Sequence, residues 1–121
     1  MIVAGIGFRR GASVAALTEA LLIAEARSAV RATALATDHS KADAAALCSL
    51  AATLGLPVFA VTVAGVETQT QSLRVKEMFG TGSLAEAAAL VGAGPGAQLL
   101  GARVVSSDGA ATVALAKGVG R

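Results

Sequence analysis

The chain has no tryptophan and no tyrosine, and its three phenylalanines leave aromatics at 2% of 121 residues. So few aromatics cannot form the platform on which successive unpaired bases stack, which argues against that class of nucleic-acid binder. A single cysteine, Cys48, excludes an intrachain disulfide. It sits in an alanine–leucine helical pattern and is expected to pack as a small apolar side chain. Charge is sparse: 15% of residues, with a net +2. That balance does not demand a polyanion such as DNA, but it permits a local basic pocket for a small acidic ligand. His39 is the lone histidine. With the thiol on a different expected face, no metal set and no cofactor motif is recognisable.

Met1 opens directly into an apolar strand pattern with no basic leader, so no signal peptide is expected. A cytoplasmic setting fits the lone thiol. One uncharged run, Ala44 to Val66, is long enough to cross a bilayer. Gly55-Leu56-Pro57 interrupts it. The pattern before that break is helical, with Leu47, Leu50, Ala51 and Leu54 on one face. Val58-Phe59-Ala60-Val61 after it favours a strand. A buried helix–turn–strand is the expectation, and no membrane span.

What the chain does have is apolar bulk of a particular kind. Hydrophobic residues make up 55%, carried largely by alanine, with glycine beside it. Such a core is thin, with closely approaching backbones. The length suits one domain, 1–121. Residues 2–8 read as a first strand. Residues 14–29 read as a helix capped by Ser13, with Val14, Leu17, Leu21 and Ala24 on one face. A strand over Ala32 to Thr37 is followed by Ser40-x-x-Asp43, read as the capping box of a helix over 41–54. A third strand covers 57–61. Residues 62–72 read as loop or short helix, and Ser72 opens a short helix to Phe79. Ser83-x-x-Glu86 caps a helix to Val91. Strands over 98–105 and 110–117 flank Ser106-Ser107-Asp108-Gly109, a hairpin turn signal. The order implies an α/β fold: a three-layer α/β/α sandwich whose mixed, mostly parallel sheet ends in a C-terminal β-hairpin.

The candidate chemistry lies at strand ends. Gly5-Ile6-Gly7-Phe8-Arg9-Arg10-Gly11-Ala12-Ser13 is a strand–loop–helix junction with two arginines, a suitable place to hold an anion. Its glycine spacing is not the dinucleotide fingerprint, and no Walker sequence is present. Thr37, Asp38, His39, Ser40 and Lys41 follow the second strand; Ser72, Arg74 and Lys76 open the short third helix. Parallel strands gather such loops at their carboxyl edge, so the Arg9/Arg10 and Lys41 loops are expected to share a crevice. The expected ligand-binding residues are Gly5, Gly7, Arg9, Arg10, Gly11, Ser13, Thr37, Lys41, Ser72 and Lys76. Asp38, His39 and Glu67 are the candidates for acid–base work, although no triad is recognisable. Glu86 is most simply the capping partner of Ser83.

Four segments in order resemble the CobE and CbiG C-terminal domain family of cobalamin (vitamin B12) biosynthesis. They are Gly5 to Ser13; Leu35 to Asp43, leading to Leu47; Ser72 to Gly80, continuing over Ser83 to Leu90; and Ala111 to Ala116. Three positions depart from the family pattern: Phe8 stands where the family usually has cysteine, Ala44 where it has an acidic residue, and Arg103 where lysine is common. The resemblance implies an α/β fold and a role in building the corrin ring. The leading expectation is a protein that binds a polycarboxylate corrin intermediate, of the hydrogenobyrinic acid or precorrin type, at the carboxyl edge of the sheet. In the two-domain members the family activity opens a ring lactone of a cobalt-precorrin and releases acetaldehyde. This chain resembles only their C-terminal part, so hydrolysis is an alternative rather than an inheritance. A third reading is a docking partner of another cobalamin-pathway enzyme. No nucleic-acid or membrane partner is implied.

Overall fold

The computed structural model of the chain describes residues 1–62 and 84–118. Strand β1 (Ile2–Phe8) leads to helix α1 (Val14–Ser28), then β2 (Ala34–Asp38), a single 3-10 turn (His39–Lys41), α2 (Ala45–Leu54) and β3 (Val58–Val61). After the undescribed stretch come α3 (Leu84–Ala93), β4 (Gln98–Leu99), β5 (Val104–Val105) and β6 (Ala111–Lys117). The sheet order is β3-β2-β1-β6-β4, with β5 also on β6. β1, β2 and β3 are mutually parallel; β6 runs antiparallel to β1 along its whole length, with Phe8 opposite Ala111. The sheet is therefore mixed and mostly parallel at one end.

Alternate residues of β1 feed two separate cores. Ala4 and Ile6 join Leu17, Leu21, Leu35, Leu47, Leu50, Val113 and Leu115 beneath α1 and α2. Val3 joins Ala34, Ala36, Ala116 and the alanines of α3 on the opposite face. Each sheet face is thus covered, which gives the three layers. The α3 layer is as thin as the alanine content implies. A Cβ on Gly92 would lie 2.9 Å from the Ala36 Cβ and 3.0 Å from the Val3 Cγ1.

Helix α1 starts as its sequence predicts: the Ser13 Oγ accepts from the Ala16 amide at 3.1 Å. The described part of the uncharged run that begins at Ala44 forms α2, a left-handed Gly55 (φ 67) and β3, the expected helix–turn–strand. Among the described residues no helix is long and apolar enough to cross a membrane.

Local expectations fail in four places. Ser40-x-x-Asp43 does not cap α2, which begins at Ala45 without a side-chain cap. Asp38 takes Ser40 instead: its Oδ2 accepts from the Ser40 amide at 3.1 Å and the Ser40 hydroxyl at 2.6 Å, capping the 3-10 turn. The strand expected over 98–105 is broken between β4 and β5, where Gly101 has φ 120; both pieces pair with β6. Cys48 is exposed rather than packed, because the buried stripe of α2 is Leu47, Leu50 and Ala51. Val14 and Leu54, placed on buried faces by periodicity, are exposed, each in a terminal turn of its helix. The expected helix from Ser72 to Phe79, the loop beyond Thr62 and the Ser83 cap lie outside the described residues.

Candidate functional site

The carboxyl edge of β1 and β2 collects the cationic loops. β1 ends at Phe8, and the chain turns at once: the Ala12 amide donates to the Arg9 carbonyl at 3.1 Å. Gly11 holds φ +82 in that turn, a conformation that disfavours any residue with a Cβ, though the space around it is open. Ser13 then caps α1, so the N-terminal end of that helix faces the same edge. Arg9 and Arg10 are both exposed there.

The 3-10 turn after β2 supplies the second cation. Lys41 reaches back across the strand ends and donates from Nζ to the Phe8 carbonyl. Its ammonium also stands 4.9 Å from the centre of the Phe8 ring, a cation–π distance. Lys41 is partly buried, whereas His39 beside it is exposed. Asp38 is 5% exposed, and its carboxylate is engaged by Ser40 as described.

A third wall comes from the C-terminal strands. Because β6 is antiparallel to β1, the β5–β6 turn lands beside the β1 loop, and the Arg9 amide donates to the Ala110 carbonyl at 2.9 Å. A Cβ on Gly109 would lie 3.8 Å from a terminal nitrogen of Arg9, so that guanidinium borders the turn. Within the turn the Asp108 Oδ1 accepts from the Ser106 hydroxyl at 2.6 Å and the Ala110 amide at 2.9 Å. The Ser106 hydroxyl, followed by the Ala110 amide, holds the Asp108 carboxyl below the ordinary aspartate range, with a smaller contribution from Arg9. Glu19 of α1 fastens the turn from outside, accepting from the Ser107 amide at 2.8 Å and its hydroxyl at 3.1 Å.

The expected site residues therefore divide. Arg9, Arg10, Gly11, Ser13 and Lys41 come together at the edge. Gly5 does not: it is buried in mid-strand under α3, where a Cβ would meet the Ala85 carbonyl oxygen at 1.9 Å. Its glycine serves helix packing rather than approach of a ligand. Gly7 is buried below Leu84. Thr37 is fully buried and donates its hydroxyl to the Ile6 carbonyl at 2.8 Å, bracing β2 on β1. Glu86 is wholly buried in the first turn of α3, and its expected capping partner Ser83 lies outside the described residues. Glu67, Ser72 and Lys76 also lie outside them.

Two participants escaped the sequence reading. Phe8 was singled out as standing in place of the family's cysteine but not as a partner of Lys41, a contact that bridges 33 positions of chain. The Ser106–Ala110 turn was recognised as a hairpin turn but not as a neighbour of Arg9. Placing β6 against β1 would have found it.

Residues 2–116 match the family model described as the cobalamin synthesis G C-terminus. Among solved structures, the fold is similar to CobE, a protein from the cobalamin (vitamin B12) biosynthetic pathway. That match has a TM-score of 0.83 and 32% identity, over 96% of this chain and 89% of that one. It is also similar to the cobalamin biosynthesis protein chiG from Agrobacterium tumefaciens str. C58. Here the TM-score is 0.75 and the identity 34%, over 99% of this chain and 100% of that one. No curated protein matches.

Proposed function

The chain belongs to the cobalamin synthesis G C-terminal family and is a cobalamin-biosynthesis protein of the CobE/CbiG type; on that premise we propose that it binds a polycarboxylate corrin-ring intermediate at the carboxyl edge of β1 and β2. Such intermediates carry acetate and propionate carboxylates around an apolar macrocycle. The observation that carries the reading is the convergence of two cationic loops: Lys41 of the 3-10 turn bonds to the last residue of β1, beside Arg9 and Arg10. Arginine offers a planar fork of donors that matches a carboxylate, and lysine a compact charge. The end of α1 adds oriented backbone dipoles of the same sign. Residues outside the described part, Ser72 and Lys76, complete the proposed set.

Binding is favoured over lactone hydrolysis by what Asp38 does. Its carboxylate is buried and accepts two hydrogen bonds from Ser40, a capping role. Hydrolysis with acetaldehyde release would need a water-activating group at this edge, for which His39, which is exposed, and Glu67, outside the described residues, are the other candidates. Titration with hydrogenobyrinic acid, followed through its visible spectrum, tests the binding reading. A charge-assisted hydrogen bond is worth about 1.5–3 kcal/mol, so Arg10→Ala should weaken binding roughly tenfold or more. A spectrum unchanged by wild-type protein at high micromolar concentration overturns it. Acetaldehyde release from a lactone precursor, lost in His39→Ala, would favour the hydrolase instead.

A further inference from the structure

We infer that Phe8 is the positioning residue for Lys41, fixing that ammonium at the mouth of the proposed corrinoid site; the inference rests on the binding reading above. Phe8 is the last residue of β1 and Lys41 the last of the turn after β2, and the parallel pairing of the two strands sets these ends side by side. Phe8 holds the ammonium in two ways at once. Its carbonyl accepts from Nζ, and its ring face lies 4.9 Å from the same nitrogen. The ring is itself half-buried against the α1 and α2 core, so it is a fixed platform rather than a loose side chain.

Lysine is a point charge on a flexible stem, and a free lysine loses rotamer freedom when it meets a ligand. A lysine already held loses less, so affinity gained from its charge is better expressed. The ring also keeps the cation at the end of β1, where the loop that carries Arg9 and Arg10 begins. The carbonyl bond alone would survive any substitution of Phe8; the ring contact would not. Residue type at this position therefore tunes Lys41.

The test is a double-mutant cycle in hydrogenobyrinic acid titrations at several salt concentrations. Phe8→Leu should weaken binding by roughly fivefold to tenfold while keeping the salt dependence of wild type, since no charge is lost. Lys41→Met should weaken binding and flatten the salt dependence. The double variant should bind no worse than Lys41→Met alone, because the ring acts only through the lysine. Phe8→Tyr, which keeps the ring face, should bind as wild type and so guards against a general packing defect. Phe8→Leu with wild-type affinity, or strict additivity in the double variant, overturns the inference while leaving the binding reading intact. Failure of wild type to bind overturns both.

Discussion

Gly5 and Ala85 are in backbone contact: a Cβ built on Gly5 would stand 1.9 Å from the Ala85 carbonyl oxygen and 2.5 Å from the Ala89 amide. The partners are helix backbone, which cannot swing aside as a side chain can. Gly5→Ala must therefore push α3 away from β1 or bend the strand. Overpacking typically costs 1–3 kcal/mol, and a clash with backbone belongs at or above about 3 kcal/mol. Against a total stability of about 5–15 kcal/mol that is a severe loss. Gly7→Ala is the internal control, since its Cβ would sit 3.5 Å from Leu84, an ordinary contact. Urea unfolding should show a large drop in midpoint for Gly5→Ala and a change of under about 1 kcal/mol for Gly7→Ala. Equal midpoints for the two variants would contradict the close approach.

The Gly5 position also shows where sequence reading reaches its limit. A glycine before a loop of arginines invites a ligand-binding interpretation, and only the helix arriving from 80 residues downstream reveals the real neighbour. Local signals fared well where the partners were local: Ser13 and the amide of Ala16 are three residues apart, and α1 begins where they place it. They failed where two local signals competed. Ser40 was available to cap α2, but Asp38 is nearer to it and already pointing inward, so the serine joined the 3-10 turn. The layer architecture was legible because helix and strand periods alternate along the chain. The third wall of the edge was not, because it depends on β6 lying against β1 rather than elsewhere in the sheet.

Helix α1 ends on a residue that suits its conformation poorly. Ala29 has φ 55 and ψ 37, the left-handed region, and its amide donates to the Ala26 carbonyl while the Val30 amide reaches the Glu25 carbonyl at 3.2 Å. This is the position that glycine commonly fills at a helix end, because a Cβ there crowds the following carbonyl. Gly55 fills the equivalent place after α2. Ala29 is exposed, so no packing is lost by removing its methyl group. Ala29→Gly should stabilise the domain by about 0.5–1 kcal/mol, the relief of strain exceeding the added freedom of the unfolded chain. A melting temperature lowered by the substitution would show that the left-handed turn is not strained.

The Asp108 carboxylate makes the β5–β6 turn sensitive to acid. It accepts from the Ser106 hydroxyl and the Ala110 amide, both of which favour the charged form and lower its pKa in the folded protein. A carboxyl whose folded value lies below the unfolded one contributes stability that is fully present above the unfolded value, about 3.9. That contribution is lost as pH falls through the lower, folded value. Asp108 is solvent-exposed, so the effect is local and screened by salt rather than a driver of global unfolding. The Ser106 hydroxyl in turn accepts from the Ala111 amide at 3.0 Å, so protonation of Asp108 should be felt at both Ala110 and Ala111. Amide chemical shifts of those two residues should titrate together, with a midpoint below that of a free aspartate. Asp108→Asn should abolish the titration and leave the turn in one state across the range. It should also remove a negative charge from beside Arg9, so hydrogenobyrinic acid binding should hold steady or tighten slightly. A midpoint at or above the free-aspartate value would mean that the Ser106 and Ala110 bonds do not persist in solution.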